Sequence, residues 1–123
     1  MKTFDEYQAA AARTGGSDLL PGNRDKAMNC AALGLCGEAG EVADLVKKIQ
    51  HHRHPLDGAT LDKLRKELGD VLWYVAHMCS GMGWQLGDIA GENIGKLRAR
   101  YPDGFSTADS LTRRDLSTDQ GAA

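Results

Sequence analysis

Two long proline-free segments, each with apolar residues recurring at three- and four-residue steps, dominate this chain and point to a helical hairpin. Between Asn23 and Gln50 the recurring positions are Met28, Ala31, Leu35, Ala39, Val42, Val46 and Ile49. Between Thr60 and Gly83 they are Leu64, Leu68, Val71, Val75, Met78 and Met82. Residues 51–58 contain Pro55 and Asp57-Gly58, the composition of a connecting loop. Thr60 is the expected cap of the second long helix, and Gly81 and Gly83 mark its stop.

Shorter helices flank this pair. Thr3 and Glu6 have capping-box spacing, so a first helix is predicted to run to about Arg13, closed by Gly15-Gly16 and Pro21-Gly22. A last helix is predicted from Leu86 to Arg100, with Leu86, Ile89, Asn93, Ile94 and Leu97 on its inner side and a turn at Pro102-Asp103-Gly104. No strand alternation competes. The expected fold is all-α, a bundle of four to five helices in which short connections make antiparallel neighbours. Residues 1–105 form the predicted domain, and 106–123 read as a polar C-terminal tail or arm. Gly34, Gly37 and Gly40 stand inside the first long helix. Each costs about 1 kcal/mol relative to Ala there, so close helix approach or room for a ligand is expected to compensate.

Composition narrows the function classes. A formal net charge of −2 gives no basic footprint for nucleic acid. No apolar run is long enough for a bilayer span, and the first residues lack a signal-peptide core. Cys30, Cys36 and Cys79 are odd in number and without Cys-x-x-Cys spacing, so they read as reduced thiols in a cytoplasmic protein.

The informative feature is acidic. Glu38 and Glu41 are three apart on the first long helix, and Glu67 and Asp70 are three apart on the second. Such spacing points both side chains of a pair the same way. Both pairs lie within or beside an apolar stripe, where unpaired ionised carboxylates are costly and raise one another's pKa. A divalent cation relieves both costs. An all-oxygen donor set suits magnesium, with manganese or calcium as relatives, and no Glu-x-x-His occurs to favour a di-iron site. Magnesium in turn favours phosphate-bearing substrates. A solvated acidic face is the alternative for either pair taken alone. Lys48 shares a face with Glu41, and Tyr74 with Asp70; Asn93, Lys96 and Arg100 fall on one side of the last helix, followed by Tyr101. These residue types can hold phosphate or stack a base. His51, His52 and His54 read as a solvated loop rather than a metal cluster, and His77 as a core or cleft histidine.

The segments Leu33-Gly34-Leu35-Cys36-Gly37-Glu38-Ala39-Gly40-Glu41-Val42, Glu67-Leu68-Gly69-Asp70-Val71-Leu72-Trp73-Tyr74 and Asn93 to Phe105 resemble the MazG-like branch of the all-alpha NTP pyrophosphohydrolases. The resemblance extends from about Asn29 to Phe105, and residues before Asn23 match only loosely. It implies an oligomeric helical enzyme that hydrolyses a nucleoside triphosphate between the α- and β-phosphates. It also implies magnesium, or manganese in its place, on Glu38, Glu41, Glu67 and Asp70. Lys48, Tyr74, Asn93, Lys96, Arg100 and Tyr101 become expected substrate contacts. Glu38 is the expected acceptor of the attacking water's proton, and Lys96 and Arg100 the counter-charges to the leaving group. Where many members carry a further Glu just before the first pair, this chain has Gly37. Two non-enzymatic readings stay open: a module that binds magnesium-nucleotide without cleaving it, and a structural helical protein.

Overall fold

In a computed structural model the described residues are 1–117, and all their regular structure is helical. The first helix, α1, spans Phe4–Ala12, and the expected capping box is formed: Thr3 Oγ1 accepts from the Glu6 backbone N–H while the Glu6 carboxylate accepts from the Thr3 backbone. A 3-10 turn over Gly16–Leu19 occupies the connection. Then come the two long helices, α2 over Arg24–His52 and α3 over Gly58–Met82. Thr60 does not cap α3. Asp57 does, its carboxylate accepting from the Thr60 N–H, because the helix begins three residues earlier than the hydrophobic period shows. Gly83, at φ 74°, closes α3 in the left-handed conformation. Helix α4 spans Leu86–Arg100, followed by α5 over Thr107–Thr112 and α6 over Arg114–Ser117.

The chain divides into two compact units, residues 1–86 and 87–123. In the first, α2 and α3 pack along their lengths and α1 lies against α3. The buried seam is made of small residues, Ala27 and Ala31 from α2 and Ala76 and Cys79 from α3. Of the stripe that periodicity marks, Ala31 belongs to this seam and Leu35, Val42, Ile49, Leu64, Val71, Val75, Met78 and Met82 are half-buried beside it, whereas Met28, Val46 and Leu68 are exposed in the single chain. Close approach explains the choice. A Cβ on Gly81 would sit 2.4 Å from the Ala27 Cβ, so only small side chains fit where the helices cross, and bulkier ones fall to the flanks. The long helix does not break at its glycine row. At Gly34 the expected close approach is present, since a Cβ would lie 2.1 Å from Tyr74 Cε1; Gly37 and Gly40 face open space. Buried Gln8 ties α1 to the end of α3, donating to the Trp84 carbonyl at 2.8 Å and accepting from the Leu86 N–H at 2.7 Å.

In the second unit the stretch that reads as a polar tail or arm carries α5 and α6 as far as it is described, and residues 118–123 lie outside the described residues. Arg100 grips Asp115 through two hydrogen bonds of 2.7 and 2.6 Å, which pins α6 to the end of α4. On the predicted inner side of α4, Leu86 is buried and Ile89 half-buried, whereas Asn93, Ile94 and Leu97 are exposed. No helix among the described residues is long and apolar enough to cross a membrane.

Candidate metal centre

The two long helices bring three of the four predicted carboxylates together. One oxygen each from Glu38, Glu67 and Asp70 lies within 4.8 Å of the others. Glu38 comes from α2, and Glu67 and Asp70 from one turn of α3, so the group forms because the helices pack side by side in this register. Glu41 stands outside the trio and is exposed, although its charge still reaches Glu38.

Electrostatics inside the trio are unfavourable without a cation. The Glu38 carboxyl is raised above the ordinary carboxylate value, first by desolvation, then by the charges of Asp70 and Glu67 and a hydrogen bond to Glu67. The donor set therefore fits a hard divalent ion on observation as well as on residue type: three oxygens, converging, partly desolvated and mutually repelling.

Beside the trio is a recess of about 340 Å³ lined by Glu38, Asp70, Trp73 and Tyr74. Tyr74 is thus where the sequence reading expects it, lodged against Gly34. Trp73 was not singled out there, though its place three residues past Asp70 puts it on the same face. Its ring meets Tyr74 edge-on at 4.9 Å, and its indole N–H donates to Thr14 Oγ1 at 2.9 Å. Tyr7 is a second unforeseen neighbour. Burial, and next the charge of Asp70, push its phenol upward. Nothing local in the sequence signals this, because Tyr7 arrives through the packing of α1 on α3.

The predicted cations are arranged differently. Lys48 is paired with Asp44 at 2.6 Å, one turn back on α2, and Asp44 is lowered to about 2 chiefly by its hydrogen bonds to Lys48 and Lys47. In the second unit Asn93 and Lys96 are exposed on α4, whereas Arg100 is engaged by Asp115 and Tyr101 packs on Phe105 at 5.4 Å. A guanidinium held in two hydrogen bonds by a carboxylate is not poised for phosphate.

Residues 28–105 match the MazG nucleotide pyrophosphohydrolase domain, a span that contains the whole trio and both aromatic residues of the recess. The chain belongs to that family. It is also 37% identical over 108 residues to the Gene 37 protein of Mycobacterium phage L5, covering 81% of this chain and 90% of that relative. No solved structure matches it. In this MazG-family chain the matched span takes in most of α2 and all of α3 and α4, and the trio stands on the first two of these.

Proposed function

We propose that the protein is a magnesium-dependent nucleoside triphosphate pyrophosphohydrolase, releasing a nucleoside monophosphate and pyrophosphate. The observation that supports this reading most is the convergence of Glu38, Glu67 and Asp70 from two helices in a chain of this family. These three would hold the metal, and Glu41, one turn beyond Glu38, is proposed as the fourth ligand on spacing and family resemblance. Bound magnesium would supply neutralisation of the triphosphate and polarisation of the reacting phosphate.

The chain's own groups divide the remaining work. Glu38 is proposed to accept the proton of the attacking water on a carboxylate oxygen left free of the metal. The new bond forms between that water's oxygen and the α-phosphorus, the bond to the bridging oxygen breaks, and pyrophosphate departs. Trp73 and Tyr74 wall the open recess beside the acids, where their rings can meet a sugar or base. Lys48, Asn93, Lys96 and Tyr101 are proposed nucleotide contacts on residue type and family resemblance. Manganese should substitute for magnesium.

We further read the single chain as one part of a homo-oligomer. No large side chain is completely buried among the described residues, while Met28, Leu33 and Val46 on α2 and Leu61 and Leu68 on α3 are exposed. A second copy covering these flanks would supply the missing core. Sedimentation should show a dimer or tetramer, and a monomer at working concentration would refute this part.

The catalytic reading is tested by incubating the protein with a panel of ribo- and deoxyribonucleoside triphosphates, with and without magnesium, and measuring pyrophosphate. Metal-dependent release that disappears in Asp70→Asn is the expected result. Nucleotide binding without any release would leave a non-catalytic module.

A further inference from the structure

A second cluster of metal-capable side chains lies in the first unit, and the carboxylate chemistry does not use it. Asp18 from the 3-10 turn, Cys30 from α2 and His77 from α3 offer one ligand atom each, all within 4.8 Å of one another. The helix crossing brings them together. Cys30 follows Ala27 by three residues and His77 precedes Gly81 by four, so the close Ala27–Gly81 approach sets the two side chains face to face.

We propose that Asp18, Cys30 and His77 form a site for a zinc-class divalent ion, separate from the magnesium trio. Three features carry this. The first is donor chemistry: a nitrogen, a sulfur and one carboxylate oxygen suit zinc or cobalt, whereas the all-oxygen trio suits magnesium. The second is spacing. Donors on one tetrahedral ion lie about 3.3–3.6 Å apart. His77 Nε2 and Asp18 Oδ2 are already 3.3 Å apart, and the Cys30 sulfur lies within 4.8 Å of both.

The third is a ring fixed in place. The His77 side chain is 2% exposed and lies parallel to Trp73, with centroids 4.7 Å apart and planes at 15°. Trp73 is itself anchored on Thr14. A histidine so clamped presents Nε2 in one direction at little entropic cost. A recess of about 320 Å³ opens beside Asp18, between Pro21, Arg24, Gly81 and Met82.

In the metal-free chain Asp18 accepts a hydrogen bond from the Cys30 thiol, pairs with His77, and has the Lys26 ammonium 3.6 Å from Oδ1. Loading replaces these contacts in a balanced way. The thiol proton leaves to solvent, the imidazole proton moves from Nε2 to Nδ1, and exposed Lys26 swings outward. His77 Nδ1 is buried and has no hydrogen-bond partner among the described residues, so its new proton stays unpaired. That holds the affinity below that of a closed four-ligand site whose histidines are supported by acceptors.

The test uses cobalt(II) as the probe, titrated into the reduced, chelator-stripped full chain. One equivalent should give a thiolate-to-cobalt charge-transfer absorption that zinc abolishes by displacement. Cys30→Ser should remove the band and weaken zinc binding at least tenfold, while Cys36→Ser and Glu67→Gln keep both. Because His77 substitutions risk the fold, Asp18→Asn is the second variant; it should keep the helical circular dichroism and lose at least tenfold in zinc affinity. Absence of the band, its survival in Cys30→Ser, or unchanged affinity in Asp18→Asn would overturn the site.

Discussion

Gly34→Ala tests how α2 and α3 fit together beside the metal centre. In an exposed helix interior the change would stabilise by about 1 kcal/mol, because Gly is the poorer helix former. Here the new Cβ would fall 2.1, 2.3 and 2.5 Å from Cε1, Cζ and Cδ1 of Tyr74. Carbon atoms at rest sit about 3.5–4.0 Å apart, so the ring must retreat by more than an ångström. Retreat sacrifices its edge-on contact with Trp73, and overpacking of this kind costs about 1–3 kcal/mol. Set against the helix gain, Gly34→Ala should be less stable than wild type by up to about 2 kcal/mol.

Gly37→Ala and Gly40→Ala meet no atom within 4 Å and should each be more stable by about 0.5–1 kcal/mol. Urea unfolding at one fixed protein concentration reads all three. In a Tyr74→Ala background the penalty at Gly34 should vanish, which makes the coupling measurable as a double-mutant cycle. A Gly34→Ala protein stabilised by the full helix gain of about 1 kcal/mol, or a penalty that persists without Tyr74, would refute the packing assigned here.

Glu38→Gln should lower kcat roughly 100-fold or more while leaving the helical spectrum intact; wild-type turnover in magnesium would remove Glu38 from the chemistry. Glu38 also sets a pH dependence. Its folded-state pKa is raised, so between the ordinary carboxylate value and that raised value the metal-free folded chain holds a proton that the unfolded chain has released. Stability due to this group therefore falls as pH rises through the window, and magnesium affinity rises; melting series of wild type against Glu38→Gln, with and without magnesium, should show both trends, and a difference independent of pH would contradict them. Arg100→Met should loosen α6 from α4, seen as faster amide exchange over 107–117, and unchanged protection would show that the Arg100–Asp115 pair does not hold that segment.

Local signals were legible and relations across helices were not. The presence of α2 and α3, the capping box at Thr3 and the end of α3 at Gly83 follow from neighbours in sequence and are found as expected, whereas the expected loop over 51–58 is shorter, with His51 and His52 in α2 and Gly58 opening α3. The pairing of Glu67 with Asp70 follows from helical spacing alone. Which members of the stripe are most deeply buried did not follow, because periodicity marks an apolar face without saying how near the partner helix comes; Ala27 and Gly81 decide that. The same blindness hid Tyr7 beside Asp70 and Asp18 beside His77, contacts of residues far apart in the chain. Glu41 shares its spacing with Glu38, yet exposure separates the two. Polar composition after Ser106 argued for a tail or arm, but Ser106 caps α5 and Arg100 supplies the partner that fixes α6.

The account depends on one shared ion, and crystals grown with manganese test it most directly through anomalous scattering. The account predicts density within coordination distance of carboxylate oxygens of Glu38, Glu67 and Asp70 together. Manganese bound elsewhere, or three acids turned apart into solvent with none between them, would contradict it.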